Sequence, residues 1–234
     1  SDIWRTYYPD LPSPSVTFRQ ESLVALDPVA PPVQTTANSY TGAVIVVALG
    51  ADLDVSATPG LTDNDEFYSV AGAERFVNRI RDFGSGHAVV VVAGLPYKCP
   101  PAPSEVALML HHVLHQRGKR GDTEITVVTP MPTPVPPSPD TSAALLTAFE
   151  ERGITFRGST QLTEIIEGRN TMKLDDGEEM GYDLLLAVPR HKSPDVLSSL
   201  PVGNEGWVRV DPATLLTELP DVYAIGDCAD VPVP

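Results

Sequence analysis

Short apolar runs that alternate with helical segments constrain the fold of this chain more than any other feature. The runs that have the length of buried strands lie at 88–93, 124–129, 154–157 and 184–188. Residues 105–116 and 142–152 fall between the first three runs and place their apolar side chains at helical spacing. Strand–helix alternation of this kind predicts a doubly wound parallel sheet with right-handed crossovers. We therefore expect an α/β, Rossmann-like fold.

The hydrophobic period changes to two after residue 157. Residues 162–166 and 171–174 alternate apolar and polar side chains on either side of the turn sequence EGRN. This arrangement predicts a β-hairpin. Residues 182–188 (YDLLLAV) then return to a continuous apolar run. The sheet is thus expected to carry a β-hairpin or meander excursion before its last strand.

The segments on either side of this unit resemble pieces of a second domain. Residues 42–50 (GAVIVVALG) form an apolar, β-branched run, which predicts a strand buried on both faces of a sheet. A domain inserted within another explains two flanking pieces. We predict a first part of the outer domain at 1–83, an inserted domain at 84–188 and a return to the outer domain at 189–234.

Charge and composition exclude several classes of function. The formal net charge of -15 argues against binding to a phosphate backbone, so we expect no nucleic-acid partner. No run of eighteen apolar residues occurs, which argues against a membrane-spanning helix. His111 and His115 have metal-ligand spacing on the predicted helix, but no third ligand accompanies them, so a solvated helix face is the preferred interpretation and no metal site is predicted.

Residues 95–105 (LPYKCPPAPSE) follow the first predicted strand and open the first helix of the inserted unit. Dinucleotide-binding domains carry a G-x-G-x-x-G sequence at this place, where glycines let the backbone approach a pyrophosphate. Only Gly94 remains here, and the prolines lack the N–H groups that would bind phosphate. We therefore predict that this unit binds NAD(P) poorly.

The same segment contains Cys99, which follows Lys98 and precedes the predicted helix by about one turn. A helix N-terminus and a nearby ammonium group both favour the thiolate, which is the nucleophilic form of cysteine. The alternative interpretation is a small, buried, apolar cysteine. Glu105, at the predicted helix start, either stabilises that start electrostatically or assists a proton transfer.

Three patterns, in the same order along the chain, resemble the FAD-dependent pyridine nucleotide-disulfide oxidoreductase superfamily. Residues 214–227 (TLLTELPDVYAIGD) are similar to its C-terminal flavin fingerprint. Residues 47–51 (VALGA) are similar to the strand end before its inserted domain, and 182–188 to the return strand. The resemblance implies FAD as the cofactor, with Asp227 on the ribityl chain and with cofactor-binding roles for Gly50, Ala51 and Gly226.

The Cys-Pro-Pro-x-Pro-x-Glu pattern at 99–105 resembles the flavoprotein subunit of sulfide dehydrogenases and, more loosely, sulfide:quinone oxidoreductases. This resemblance implies that Cys99 belongs to a redox cysteine pair over the flavin, with Glu105 as a second catalytic candidate. Sulfide or polysulfide would bind there, and electrons would pass through FAD to a quinone or to a cytochrome haem. The resemblance also implies that the second cysteine of the pair lies in the C-terminal region beyond the Gly-Asp motif, and so after residue 234. Cys228, next to Asp227, is interpreted as packing.

Other interpretations remain open at this point. An NAD(P)H-dependent FAD oxidoreductase and a non-enzymatic Rossmann-like binding domain both fit the predicted fold. No Gly-rich flavin strand precedes Tyr40, so the chain is interpreted as the middle of a longer protein. We also expect a homo-oligomer, located in the cytoplasm or peripherally on a membrane through a region beyond residue 234. Arg190 and His191 are expected at a strand's carboxyl end, where they face the flavin or form a loop charge pair.

Overall fold

A computed structural model describes residues 15–26, 33–203 and 205–231. The strands are β1 (Leu23–Leu26), β2 (Val33–Thr35), β3 (Ser39–Tyr40), β4 (Ile45–Val47), β5 (Asp52–Asp54), β6 (Gly86–Val92), β7 (Thr123–Val128), β8 (Ile154–Arg157), β9 (Leu162–Ile166), β10 (Thr171–Leu174), β11 (Glu179–Gly181), β12 (Leu184–Val188), β13 (Arg190–Lys192), β14 (Val208–Arg209), β15 (Val222–Ala224) and β16 (Ala229–Asp230). The α-helices are α1 (Val70–Asp82), α2 (Ala102–Gln116) and α3 (Pro139–Glu151).

The chain divides into two compact units. The outer unit combines the described residues up to Leu49 with Pro194–Val231, and the central unit spans Gly50–Ser193. The central unit therefore begins well before residue 84, where the sequence places the start of an inserted domain. That assignment, 84–188 within 1–83 and 189–234, stays a prediction.

A four-stranded parallel sheet forms the middle of the central unit, in the order β12-β6-β7-β8. Its strands lie on the four apolar runs that the sequence singles out, and the predicted mixed α/β, Rossmann-like fold is confirmed. Every residue of β12 and the last five of β6 are buried. Continuous burial follows because both faces of a parallel sheet are covered by other elements.

The two faces of this sheet have different covers. Side chains of all three helices pack on one face, among them Phe76 of α1, Leu110 of α2 and Phe149 of α3, together with Val90 and Leu186 of the sheet. The antiparallel strands β9, β10 and β11 cover the other face, where their apolar residues Ile165, Met172 and Leu174 pack on Val89, Val91, Leu185 and Ala187. The predicted hairpin is therefore formed by β9 and β10, and together with β11 it covers one face of the parallel sheet. Neighbouring residues of β6 and β12 point to opposite layers because strand side chains alternate.

Helix α2 begins at Ala102, three residues before the start that apolar spacing alone predicts. Its first turn contains Pro101 at the N-cap and Pro103. Proline is compatible with a first helical turn, where an N–H has no partner within the helix, and its fixed φ suits the helix. The proline-rich segment therefore forms the helix start itself.

The outer unit contains smaller sheets: antiparallel β1-β2-β3, parallel β15-β4 and parallel β14-β16. The prediction of a strand over 42–50 buried on both faces is wrong. The strand covers only Ile45–Val47, and Val44 and Val46 are 55% and 56% exposed. Val47 and Ile45 pack in the core of the outer unit, whereas Val46 between them is exposed, so within the described residues only one face of β4 is covered.

Among the residues that the structure describes, none of the helices combines the length and the apolar character needed to cross a bilayer.

Candidate functional site

Cys99 lies in the loop that joins the carboxyl end of β6 to α2, and it is exposed. Its backbone has φ +57°, a left-handed conformation that residues other than glycine rarely adopt. The loop carbonyl of Cys99 accepts a hydrogen bond from the N–H of Ala102 at 3.0 Å. The thiol therefore stands in solvent immediately before the helix and is not packed among aliphatic side chains.

Two tyrosine hydroxyls bind three successive carbonyls around this cysteine. The hydroxyl of Tyr68 donates to the carbonyls of Lys98 at 3.0 Å and Cys99 at 3.3 Å. The hydroxyl of Tyr97 donates to the carbonyl of Pro100 at 3.3 Å. Left-handed backbone at a residue other than glycine costs about 1–3 kcal/mol. Each hydroxyl supplies one donor, which Tyr68 shares between two carbonyls, and a neutral hydrogen bond contributes about 0.5–1.5 kcal/mol. The two hydroxyls together are therefore comparable in size to that strain.

Both hydroxyls stay protonated over the physiological pH range. Burial raises the pKa of Tyr97 to about 12, and a negative charge on Cys99 adds to this effect. Burial raises the pKa of Tyr68 further, with smaller contributions from Tyr97 and Cys99. Because only a protonated phenol donates a hydrogen bond, the contacts with the loop carbonyls persist at neutral and alkaline pH.

Arg190 and His191 follow β12 at its carboxyl end, as expected from the sequence, and form part of β13. The backbone N–H of His191 donates to the carbonyl of Pro96 at 2.8 Å, so β13 lies against the start of the cysteine loop. The His191 ring is buried and meets the Tyr68 ring edge-on, with centroids 5.2 Å apart. His191 therefore contacts both the start of the loop that carries Cys99, through its backbone, and Tyr68, through its ring.

Glu105 is exposed in the first turn of α2. It lines a groove of about 510 Å³ together with Leu108 and His112 of the same helix and Leu145 of α3. Among the described residues no hydrogen bond links Glu105 to Cys99. Its position fits the electrostatic role at the helix start, since a carboxylate there interacts favourably with the helix dipole. A role in proton transfer stays a prediction.

The start of α2 offers few donors to a pyrophosphate. Pro101 and Pro103 have no N–H, and the N–H groups of Ala102 and Glu105 donate to the carbonyls of Cys99 and Pro101, each at 3.0 Å. Residues 129–132 (TPMP), after β7, include no carboxylate that could bind a ribose hydroxyl. Dinucleotide-binding folds use both features. The geometry therefore supports the expectation of poor NAD(P) binding.

The flavin candidates of the outer unit lie after a pair of parallel strands. β15 pairs with β4, and the N–H of Ile225 donates to the carbonyl of Val47 at 2.9 Å. Gly226 follows with φ +70°, and the Asp227 side chain is exposed in the turn Gly226–Cys228. An exposed carboxylate at the carboxyl end of a parallel strand can accept hydrogen bonds from sugar-like hydroxyls, so Asp227 fits the ribityl chain of FAD.

Gly50 and Ala51, the other two flavin candidates, are the first residues of the central unit. Gly50 has φ +68°, and a Cβ added there would meet no atom within 4 Å. The backbone conformation at this position, and not crowding, therefore favours glycine. The cofactor roles of both residues stay predictions.

Cys228 is fully buried, and its Sγ lies 3.2 Å from the carbonyl of Ile225 and 3.6 Å from that of Val47. It packs in the core of the outer unit, in agreement with the sequence-based interpretation. His111 and His115 stack with centroids 6.1 Å apart. Within the described ranges, no group of three or more His, Cys, Asp or Glu side chains is arranged to hold a metal ion.

Tyr68 is a residue of this site that the sequence does not indicate. It lies 31 residues before Cys99 and carries no motif, so no sequence spacing connects the two residues. Its place directly before Ser69, whose side chain accepts a hydrogen bond from Gly72 and caps α1, is the one local feature that marks it.

Comparison with known proteins places these features in one family. Residues 14–233 match the pyridine nucleotide-disulphide oxidoreductase family model. The chain is 30% identical over 205 residues to the mitochondrial sulfide:quinone oxidoreductase of Schizosaccharomyces pombe. The alignment covers 84% of this chain and 44% of that protein. This chain therefore spans less than half the length of that curated relative.

Solved structures agree on the fold. The sulfide:quinone oxidoreductase of Aquifex aeolicus superposes with a TM-score of 0.78 at 20% identity, over 92% of this chain and 53% of that one. An NAD-dependent persulfide reductase from A. fulgidus superposes with a TM-score of 0.66 at 21% identity, over 89% of this chain and 38% of that one. With a family match across nearly its whole length, this chain belongs to the pyridine nucleotide-disulphide oxidoreductase family.

Proposed function

We propose that this chain is part of an FAD-dependent oxidoreductase that oxidises sulfide or a related sulfur species, with Cys99 as the residue whose sulfur receives the sulfide sulfur. The observation that carries this proposal is the exposed, tyrosine-bound Cys99 loop at the position where a dinucleotide-binding domain binds phosphate. Similarity to two sulfide:quinone oxidoreductases supports the substrate class.

The chemistry is a two-electron oxidation of sulfide. Hydrosulfide attacks the Cys99 sulfur while that sulfur is bonded to a second cysteine, which we expect outside residues 1–234. The old S–S bond breaks, a new S–S bond forms, and the second cysteine leaves as a thiolate. The two electrons then lie on the thiolate of the second cysteine. Bound FAD would supply the two-electron acceptor for them, with a quinone or, one electron at a time, a haem as the final acceptor. Hydrosulfide thereby loses two electrons and one proton and becomes sulfane sulfur on Cys99.

The residues of this chain would hold FAD, favour the thiolates and accept a proton. Asp227 would hold FAD hydroxyls through its exposed carboxylate, and the left-handed turn at Gly226 presents that carboxylate. Lys98, next to Cys99, supplies positive charge that favours the attacking and leaving thiolates. Glu105 is proposed to accept the proton of hydrosulfide, or to act only at the helix start.

A cysteine substitution tests the proposal in the full-length protein. We expect Cys99→Ser to abolish sulfide-dependent bleaching of the flavin absorbance under anaerobic conditions, since a hydroxyl cannot form the S–S bond. Cys228→Ala is the matched control, because Cys228 is buried and is assigned no chemistry. Normal bleaching in Cys99→Ser would reject the proposal.

Binding of FAD has its own test. Asp227→Ala in the full-length protein should lower the ratio of flavin to protein absorbance after purification, because the hydroxyl acceptor is lost. Asp230→Ala, an exposed carboxylate of the same unit in β16, is the control. An unchanged flavin content in Asp227→Ala would remove Asp227 from the cofactor site.

An NAD(P)H-dependent reductase is the second candidate, favoured by the likeness to an NAD-dependent persulfide reductase. It predicts flavin bleaching by NADH in the full-length protein. We expect bleaching by sulfide and little by NADH, because the start of α2 offers few backbone donors to a pyrophosphate. Rapid reduction by NADH together with no response to sulfide would favour this second candidate.

The acceptor, the assembly and the location belong to the same proposal. We propose a quinone or a cytochrome as the acceptor, a homo-oligomer, and a cytoplasmic or peripheral membrane location for the full-length protein. The relative from Schizosaccharomyces pombe, a sulfide:quinone oxidoreductase, supports the quinone. Steady-state assays with a soluble quinone and with cytochrome c distinguish the two acceptors.

A further inference from the structure

We propose that Tyr68 is a positioning residue for Cys99, whose hydroxyl holds the loop in the conformation that presents the thiol. The activity readout of this inference rests on the proposed function, whereas its structural readout does not.

Contacts at both ends of the loop carry the inference. The Tyr68 hydroxyl donates to the carbonyls of Lys98 and Cys99, which lie before and after the Cys99 Cα. The backbone N–H of His191 binds the carbonyl of Pro96 at 2.8 Å. The Tyr68 and His191 rings meet edge-on at an interplanar angle of 87°. The loop is therefore fixed by two residues that contact each other and that come from distant parts of the sequence.

The direction of the Cys99 side chain depends on these contacts. At φ +57° the Cα–Cβ bond points differently from that of a residue in an ordinary loop conformation. Without the Tyr68 hydroxyl, the carbonyl of Cys99 would keep only the Ala102 N–H. We expect the backbone of Cys99 then to relax towards negative φ, which is the favoured region for cysteine. The thiol would then remain exposed but would point elsewhere.

The Tyr68 hydroxyl keeps its proton at neutral pH and can therefore act as a donor there. Burial raises the pKa of Tyr68, so the phenol keeps its proton and remains a donor. Among the described residues, the neighbouring Tyr97 hydroxyl donates to the carbonyl of Pro100 and to no other group. Tyr68 therefore holds the cysteine itself, whereas Tyr97 supports the residue that follows.

Hydrogen exchange on the full-length protein tests the structural part. In Tyr68→Phe we expect the peptide that covers residues 96–104 to exchange about fivefold faster or more, since the Ala102 N–H bonds to the Cys99 carbonyl of the released loop. Tyr182→Phe is the control, because Tyr182 is a partly buried tyrosine of the same unit that packs on the other face of the sheet. Unchanged exchange in this peptide would overturn the proposal.

The two halves of the catalytic cycle test the positioning part. Rapid mixing should show that Tyr68→Phe slows sulfide-dependent flavin reduction about 10–100-fold, since misplacement by about 1 Å has effects of this size. Reoxidation of the reduced flavin by quinone, which does not use Cys99, should stay as in the unsubstituted protein. A purely structural loss would slow both half-reactions and lower the flavin content, and that result would also overturn the proposal.

Failure of the proposed function gives a different pattern. If Cys99→Ser is reduced normally by sulfide, the sulfide reaction at Cys99 is rejected, and the exchange experiment alone then decides whether Tyr68 holds the loop. If Cys99→Ser is inactive while Tyr68→Phe is reduced at an unchanged rate, the proposed function stands and the role of Tyr68 is rejected.

Discussion

The central unit and the outer unit use similar apolar strands in different ways. In the central unit, β6 and β12 lie inside a four-stranded parallel sheet with a helical layer on one face and a β-layer on the other. In the part of the outer unit that the structure describes, β4 pairs with β15 in a two-stranded sheet, and Val46 is 56% exposed. Strands β12 and β4 both consist of apolar residues, but every residue of β12 is buried whereas Val46 of β4 is exposed.

The difference shows that a continuous apolar run specifies a strand but not its cover. Burial requires neighbouring strands and a layer on each face, and those come from elsewhere in the chain. The central unit supplies both layers from within Gly50–Ser193. Substitutions should therefore have larger effects in the central unit than in the outer unit.

The largest expected effect is a cavity in the central core. Leu186→Ala removes a side chain that is 1% exposed and contacts the helical layer, so we expect the free energy of unfolding to fall by about 2–5 kcal/mol. Val46→Ala in the outer unit should change it by less than about 0.5 kcal/mol, because Val46 is exposed. Urea unfolding measures both, and equal losses would contradict the comparison.

Two glycines with left-handed backbone sharpen the same contrast. A Cβ on Gly60 would lie 2.0 Å from the backbone oxygen of Ile165, whereas one on Gly226 would meet nothing within 4 Å. Gly60→Ala should therefore cost about 3 kcal/mol or more, the upper part of the usual strain range. Gly226→Ala should cost about 1–2 kcal/mol, which is the left-handed penalty alone. Thermal unfolding of both variants checks the order.

Arginines at the surface give a third, smaller contrast. Arg117 donates to the carbonyls of Ile80 at 2.6 Å, Arg81 at 2.8 Å and Phe83 at 3.2 Å, and so caps the end of α1. Arg117→Met should cost about 1–3 kcal/mol, since it leaves helix-end carbonyls without these donors. Arg209→Met in the outer unit removes an exposed ion pair with Glu218 and should cost about 0–1 kcal/mol. A loss in Arg209→Met as large as in Arg117→Met would argue against this assignment.

The smallest expected effect is a pH dependence centred on His111. Burial, and then Arg120 and Arg152, lower the pKa of His111 from its ordinary 6.5. The unfolded chain therefore binds a proton more readily, and stability is lost as the pH falls below 6.5 through the folded pKa. His111→Gln should flatten this part of the profile of unfolding temperature against pH.

Asp211 provides the outer-unit counterpart. Hydrogen bonds from Thr214 and Ala213 lower the pKa of this carboxyl from 3.8, so its contribution is present above that value and is lost only in stronger acid. Asp211→Asn should leave the profile of unfolding temperature against pH unchanged in shape between pH 5 and pH 7. The carboxyl is ionised throughout this range both in the folded protein and in the unfolded chain, where its ordinary pKa is about 3.9. A change there in Asp211→Asn, or none in His111→Gln, would contradict the assignment.

Much of the central unit could be predicted from the sequence, because periodicity reports on local side-chain direction. The hairpin at 162–174 and the four buried runs appear at the predicted places. The start of α2 was misplaced by three residues, since the prolines of its first turn resemble a loop in sequence. Cys99 could be selected as a candidate from its place before a helix, whereas its exposure could not be predicted from the sequence.

By itself the sequence determined the alternation of strands and helices, the family resemblance and the replacement of a phosphate-binding loop by a proline-rich loop with a cysteine. Only the tertiary structure decided that β4 is half exposed and that Tyr68 and His191 hold the Cys99 loop. The physical reason is range. Local spacing fixes where a side chain points along its own element, whereas cover and hydrogen-bond partners depend on residues that folding brings together from distant positions.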